Sequence, residues 1–67
     1  MRLIKLKEVM GSTGLARSTI YKYISNDTFP KPVNLGARAV AWVEEEIQDW
    51  ILERIAQRDE STFINLS

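Results

Sequence analysis

Phe29-Pro30-Lys31-Pro32 divides this chain in two. Each proline lacks a backbone N–H and pushes the residue before it toward an extended conformation, so no helix can run through the segment. The patterns on its two sides differ. Upstream, Leu6, Val9 and Met10 fall at helical spacing before Gly11 and Gly14 interrupt, and Ala16, Ile20, Tyr23 and Ile24 follow at i, i+4, i+7 and i+8. This spacing predicts a short helix, a Gly-containing turn, and a second helix over about 16–26 that Asn26 and Asp27 end. Two helices joined by so short a turn have the helix-turn-helix layout. Leu3 and Ile4, ahead of both, read as a short strand or arm.

Downstream, Val33-Asn34-Leu35 and Ala39-Val40-Ala41-Trp42-Val43 read as two short strands around Gly36-Ala37-Arg38, a hairpin loop in which Gly36 supplies a positive φ. Glu44 to Gln57 reads as the final helix. Ile47, Trp50, Ile51, Ile55 and the stem of Arg54 form its apolar stripe, and its acids crowd the first turn, where the helix dipole favours them. From Asp59 the chain is polar until Phe63-Ile64-Asn65-Leu66. That patch is either disordered or docks, on the domain or on a neighbour's sheet edge, and the sequence leaves both open. The expected fold class is mainly α with a small β-hairpin, a winged helix-turn-helix, with a domain at 1–58 and a tail at 59–67.

A chain of 67 residues has room for one core and little room for a catalytic cleft. With no Cys and no His, disulfides, zinc fingers, thiol nucleophiles and imidazole chemistry are excluded together. Hydrophobic residues at 45% and charged residues at 27% fit a folded domain rather than a disordered tail. No apolar run approaches the ~20 residues of a membrane span, and Met1-Arg2-Leu3-Ile4-Lys5 lacks a secretory apolar stretch. A cytoplasmic protein without a membrane partner is expected. Glu44-Glu45-Glu46 with Asp49 is the one constellation resembling a metal or acid–base site. Consecutive helix residues point in different directions, however, and no second cluster completes a cage. With no Gly-rich phosphate loop either, neither catalysis nor a cofactor is expected.

The formal net charge is zero, but the charges are segregated. Residues 1–38 hold seven basic residues against two acidic ones, and residues 39–67 hold two against seven. Such asymmetry points toward a nucleic-acid partner. On the second helix, Arg17, Ser18, Thr19, Tyr21, Lys22 and Ser25 lie outside the apolar stripe. Arginine can pair with guanine at the N-terminal end of a recognition helix, and hydroxyls can hold phosphates. A polar face is also what any surface helix shows. The stronger argument is that Arg38 at the hairpin tip, Lys31 in its lead-in and Lys7 on the first helix add cations to the elements a winged domain presents to a duplex. Tyr21 lies out of phase with the core, suited to backbone contact or to partial packing. Trp42, Trp50, Phe29 and Tyr23 follow the strand and helix periodicities, which assigns them to the core rather than to stacking on single strands.

Several ordered motifs carry a family resemblance: Arg2-Leu3-Ile4-Lys5-Leu6-Lys7-Glu8-Val9, Thr13-Gly14-Leu15-Ala16-Arg17-Ser18-Thr19-Ile20-Tyr21-Lys22, Phe29-Pro30-Lys31-Pro32-Val33, and Trp42 ahead of an acidic helix containing Trp50-Ile51. Over about residues 2–56 the chain resembles the AlpA family of prophage regulatory proteins, relatives of excisionase and MerR-type winged helices. The resemblance implies a winged domain that binds promoter or attachment-site double-stranded DNA and controls phage or mobile-element genes, often integrase expression or excision. It implies a recognition helix bearing Arg17, Ser18, Thr19, Tyr21 and Lys22, and a wing formed by Gly36, Ala37 and Arg38. One departure is Ala16, where such proteins usually carry a Ser that caps the helix for ~1 kcal/mol. One small domain has a small footprint, so self-association on adjacent half-sites is expected. The alternative is a protein-interaction module whose acidic last helix, or whose Phe63-Ile64-Leu66 patch, captures an integrase or RNA polymerase subunit. An antitoxin-like or inhibitor subunit is a third reading.

Overall fold

A computed structural model describes residues 1–66 and, of these, the side chains of residues 1–60. The elements run β1 (Leu3–Ile4), α1 (Leu6–Thr13), α2 (Arg17–Ser25), β2 (Val33–Asn34), β3 (Val40–Val43) and α3 (Glu44–Leu66). The fold is mainly helical with a small antiparallel sheet.

The two N-terminal helices are short because their ends are written into the backbone. Gly14 sits at φ 72°, in the left-handed region, and its N–H closes α1 on the Met10 carbonyl at 2.8 Å. Gly11 lies inside α1 and does not interrupt it. A Cβ built on either glycine meets nothing within 4 Å, so backbone preference alone separates them. Gly14→Ala is expected to cost about 1 kcal/mol, lowering Tm by roughly 4–8 °C. Gly11→Ala is expected to raise stability by about 0.5–1 kcal/mol. Thermal melts of the two variants check the contrast, and shifts of the same sign would contradict it.

Ala16 is exposed and sits at the N-cap of α2 rather than on its apolar face. It gives the helix no side-chain cap; the turn is held instead by Thr13, whose Oγ1 donates to the Val9 carbonyl (2.8 Å) and accepts the Leu15 N–H (3.2 Å). At the other end, Asp27 adopts φ 58° and the Thr28 N–H reaches the Tyr23 carbonyl at 2.9 Å, which stops α2 ahead of the prolines.

The sheet has the order β1-β3-β2. The Leu3–Ile4 segment therefore pairs as a third strand beside the expected hairpin, with Ile4 opposite Trp42 and Leu3 opposite Val43. On the other side Val33 faces Ala41 and Asn34 faces Val40. The hairpin loop closes without a left-handed glycine: the described residues with positive φ are Gly14 and Asp27, not Gly36. Asn34 explains this, because its Oδ1 accepts the Gly36 N–H at 3.0 Å while the Leu35 N–H bonds the Ala39 carbonyl at 2.7 Å.

Ile4, Val9, Ile20, Phe29, Trp42 and Ile47 form the buried core, drawn from β1, α1, α2, the proline segment, β3 and the start of α3, while β2 stays exposed. Two indoles fix the path between α2 and the hairpin. Trp42 donates from Nε1 to the Pro30 carbonyl (3.1 Å) and Trp50 from Nε1 to the Thr28 carbonyl (2.8 Å). These bonds satisfy carbonyls that the proline-containing segment cannot place in a ladder. The final helix differs most from expectation: it passes Gln57 and continues to Leu66. Residues 58–62 are polar but contain neither Gly nor Pro, so nothing in them ends a helix. Ile55, expected in the core stripe, is 40% exposed because the domain body stops short of it. The expectation that Phe63, Ile64 and Leu66 dock concerns side chains outside the described residues.

Candidate nucleic-acid interface

The surface of α2 follows from its core face. Ile20 is fully buried and Tyr23 and Ile24 partly so, which turns Arg17, Ser18, Tyr21 and Lys22 outward. Thr19 is half-buried and has less reach than the others. Arg17 occupies the first turn with its Cζ 5.9 Å from the Tyr21 ring centroid, a cation–π spacing that leaves the guanidinium at the surface. Tyr21 is 38% exposed and meets Trp42 edge-on, with centroids 6.4 Å apart. The partial packing expected of it is therefore present: one edge packs on the sheet and the rest faces out. This contact joins α2 to β3, whose other end leads into the loop carrying Arg38.

The N-terminus of α2 is open. Its first backbone bond is from the Ile20 N–H to the Ala16 carbonyl at 3.0 Å, and no side chain caps the turn before it. The N–H groups of the first helical turn carry partial positive charge and are suited to an anion.

Ion pairing sorts the cations of the basic half. Arg2 bonds the carboxylates of both Glu44 and Glu8, on two other elements. The hydrogen bond to Glu44, with the nearby charge of Glu8, holds the guanidinium in its charged form more firmly than usual. Arg2 thus staples β1 to α1 and α3. Lys31 lies 3.2 Å from Asp27, both well exposed. Among the described residues, no carboxylate lies within ion-pair distance of Lys5, Lys7, Arg17, Lys22 or Arg38. Lys7 on α1 and Arg38 on the β2–β3 loop are both exposed.

The sequence places Trp42 and Trp50 in the core and Asn34 in a strand, but not the side-chain bonds by which they hold the loop and its lead-in in place. The spacing Asn34-Leu35-Gly36 is a recognisable signature of a side-chain-closed turn; the indole bonds to Thr28 and Pro30 leave no local signature. The acids of α3 face elsewhere. Glu46, Asp49 and Glu53 border an open groove with Asp27, Phe29 and Trp50, and Arg54 lies over the Trp50 ring at 4.8 Å. Among the described residues no three potential ligands converge on a metal position. No described helix is long and apolar enough to cross a membrane.

This chain is similar to the uncharacterized protein ORF88 of Enterobacteria phage P4, with 46% identity over 57 residues that cover 85% of this chain and 65% of that protein. It thus spans a little under two thirds of that relative's length. It is also similar to the DNA-binding transcriptional activator AlpA of Escherichia coli (strain K12), with 38% identity over 60 residues that cover 81% of this chain and 86% of the relative. The sequence model of the family described as "Prophage CP4-57 regulatory protein (AlpA)" matches residues 2–55, and the chain therefore belongs to the AlpA family of phage and prophage regulatory proteins.

Proposed function

We propose that the chain is a sequence-specific double-stranded DNA-binding regulator of phage or mobile-element genes. It works as a winged helix-turn-helix domain within residues 1–58, with α2 in a major groove and the β2–β3 loop on the adjacent backbone or minor groove. The observation that carries this reading is the outer face of α2: Arg17 and Lys22 stand exposed, with no carboxylate partner among the described residues, beside an uncapped helix N-terminus. Arg17 reads a base edge, Ser18 and Lys22 hold phosphates, and Tyr21 lies along the backbone. Ala16 fits the same reading: with no capping oxygen, the first-turn N–H groups stay available to a phosphate. Arg38, Lys7 and Lys31 add phosphate contacts at the flanks. The E. coli relative is named a DNA-binding transcriptional activator, which agrees with this assignment. Control of integrase expression or excision, with contact to an integrase or to RNA polymerase, is the regulatory context that fits.

Duplex binding measured by fluorescence anisotropy tests the proposal. If about four of these cations release counterions, affinity falls by roughly two orders of magnitude between 50 and 200 mM salt. Lys31→Ala is expected to weaken cognate and scrambled duplexes alike and to reduce the salt slope by about one. Its pair with Asp27 is exposed on both sides and contributes little to the fold. Absence of binding at low salt, or affinity indifferent to salt, would defeat the reading.

A further inference from the structure

Where α3 passes the proline segment, the two border an open groove of about 510 Å³. Its floor is aromatic. Phe29 and Trp50 meet edge to face with ring centroids 4.8 Å apart, and Pro30 lies half-buried beside them. Its rim is acidic: Glu46, Asp49 and Glu53 of α3 and Asp27 after α2 are all exposed along the opening.

The fold itself makes little use of the α3 acids. Glu44, close by, bonds Arg2 and so ties α3 to β1. Among the described residues, however, no cation lies within ion-pair distance of Glu46, Asp49 or Glu53. Asp49 stands three residues after Glu46 and four before Glu53, a spacing that sets like charges side by side and destabilises a helix. The helix dipole offsets this for Glu46 in the first turn but not for Asp49 and Glu53 further on. One guanidinium already lies at the groove: the Cζ of Arg54 is 4.8 Å from the Trp50 ring centroid, and its described hydrogen bond goes to Gln57 rather than to an acid. The indole thus presents a face that accepts a cation, beside carboxylates that Arg54 does not pair with.

We propose that this groove docks an extended, arginine-containing segment of a partner protein. Charge complementarity selects the occupant, since the acidic rim repels nucleic acid and anionic lipid alike. Arginine fits better than lysine, because a planar guanidinium can both stack on an indole and fork to a carboxylate. From Glu46 to Glu53 the acidic wall runs about 10 Å along the helix axis, the length of about three residues of extended chain. A second copy fits less well: its exposed cations Lys7, Arg17, Lys22 and Arg38 sit on helices and a loop tip rather than on an extended segment. The inference goes beyond the DNA-binding reading and does not rest on it, since none of the residues assigned to a duplex lines the groove.

Fluorescence anisotropy with a labelled hexa-arginine peptide at low salt is the test. The parent chain is expected to bind it, and to bind hexalysine several-fold more weakly. Asp49→Asn/Glu53→Gln should weaken hexa-arginine binding by roughly fivefold or more, with a melt no lower than the parent's because repulsion along α3 is relieved. Asp59→Asn/Glu60→Gln removes the same charge away from the groove and should change the affinity by less than about twofold. No binding at low salt, equal losses in the two variants, or hexalysine bound as tightly as hexa-arginine overturns the proposal. Sedimentation adds one more such outcome: self-association of the parent that Asp49→Asn/Glu53→Gln abolishes would assign the groove to a second copy. Duplex binding separates the two readings. A parent that binds a duplex but not the peptide defeats this inference alone; one that binds the peptide but no duplex defeats the DNA reading alone.

Discussion

Trp42→Ala is expected to leave the chain unfolded or nearly so at ambient temperature. Trp42 is completely buried, pairs across the sheet with Ile4, meets Tyr21 of α2 edge-on, and donates its indole N–H to the Pro30 carbonyl. Its loss therefore detaches β1, α2 and the proline segment from β3 at once. Truncating a buried Trp to Ala costs about 3–5 kcal/mol, and a domain below ~70–80 residues rarely has more than that to lose. Far-UV circular dichroism with a thermal melt reads the outcome. Trp42→Phe keeps much of the ring but leaves the Pro30 carbonyl unpaired, at a cost of about 1–3 kcal/mol, so it should still melt cooperatively at a lower temperature. An alanine variant melting within a few degrees of the parent would mean that the core is held by contacts other than those of Trp42.

The same residue shows how far the sequence could be read. The apolar run Val40-Ala41-Trp42-Val43 marks a strand with a buried Trp, although Ala41 is buried next to it rather than alternating with it, and the stripe Ile20, Tyr23, Ile24 marks the inner face of α2. Both are local patterns. Gly14 was legible as a break, and its left-handed φ gives the reason. What was not legible is set by partners remote in the chain. Arg2 counted as one of seven cations in the basic half, but it reaches Glu44, 42 positions away, and so serves the fold. Gly36 looked like the residue that makes the hairpin possible, whereas the Asn34 side chain closes the turn. The end of α3 was misjudged for a different reason: loss of the apolar stripe after Ile55 marks the end of burial, not of the helix. A helix can outlast its own core when no breaking residue follows.

Within the candidate interface, the sequence identified the outward residues of α2 because they are the complement of a clear stripe. It could not rank them. The fold does so by burial and pairing: Thr19 is half-buried, Lys31 is matched with Asp27, and Arg17 and Lys22 are left with their charges uncompensated by any described carboxylate.

Arg17→Ala should consequently give the largest loss of DNA recognition of any single change that leaves the fold intact. Arg17 is exposed, and its one described side-chain contact is the Tyr21 ring at 5.9 Å. Alanine has the higher intrinsic helix propensity, so the melt should move little. On the cognate duplex the expected loss is roughly 5- to 150-fold, the range for removing one good bidentate contact to a base. On scrambled duplexes the loss should be much smaller, because there Arg17 supplies only charge. Arg17→Lys separates the two contributions: it keeps the charge but not the planar fork, so it should restore binding to scrambled sequence while cognate affinity stays reduced. The position within the site at which discrimination disappears then identifies the base pair that Arg17 reads. Equal losses on both duplexes would reassign Arg17 to the phosphates and move sequence reading to Ser18, Lys22 or the β2–β3 loop.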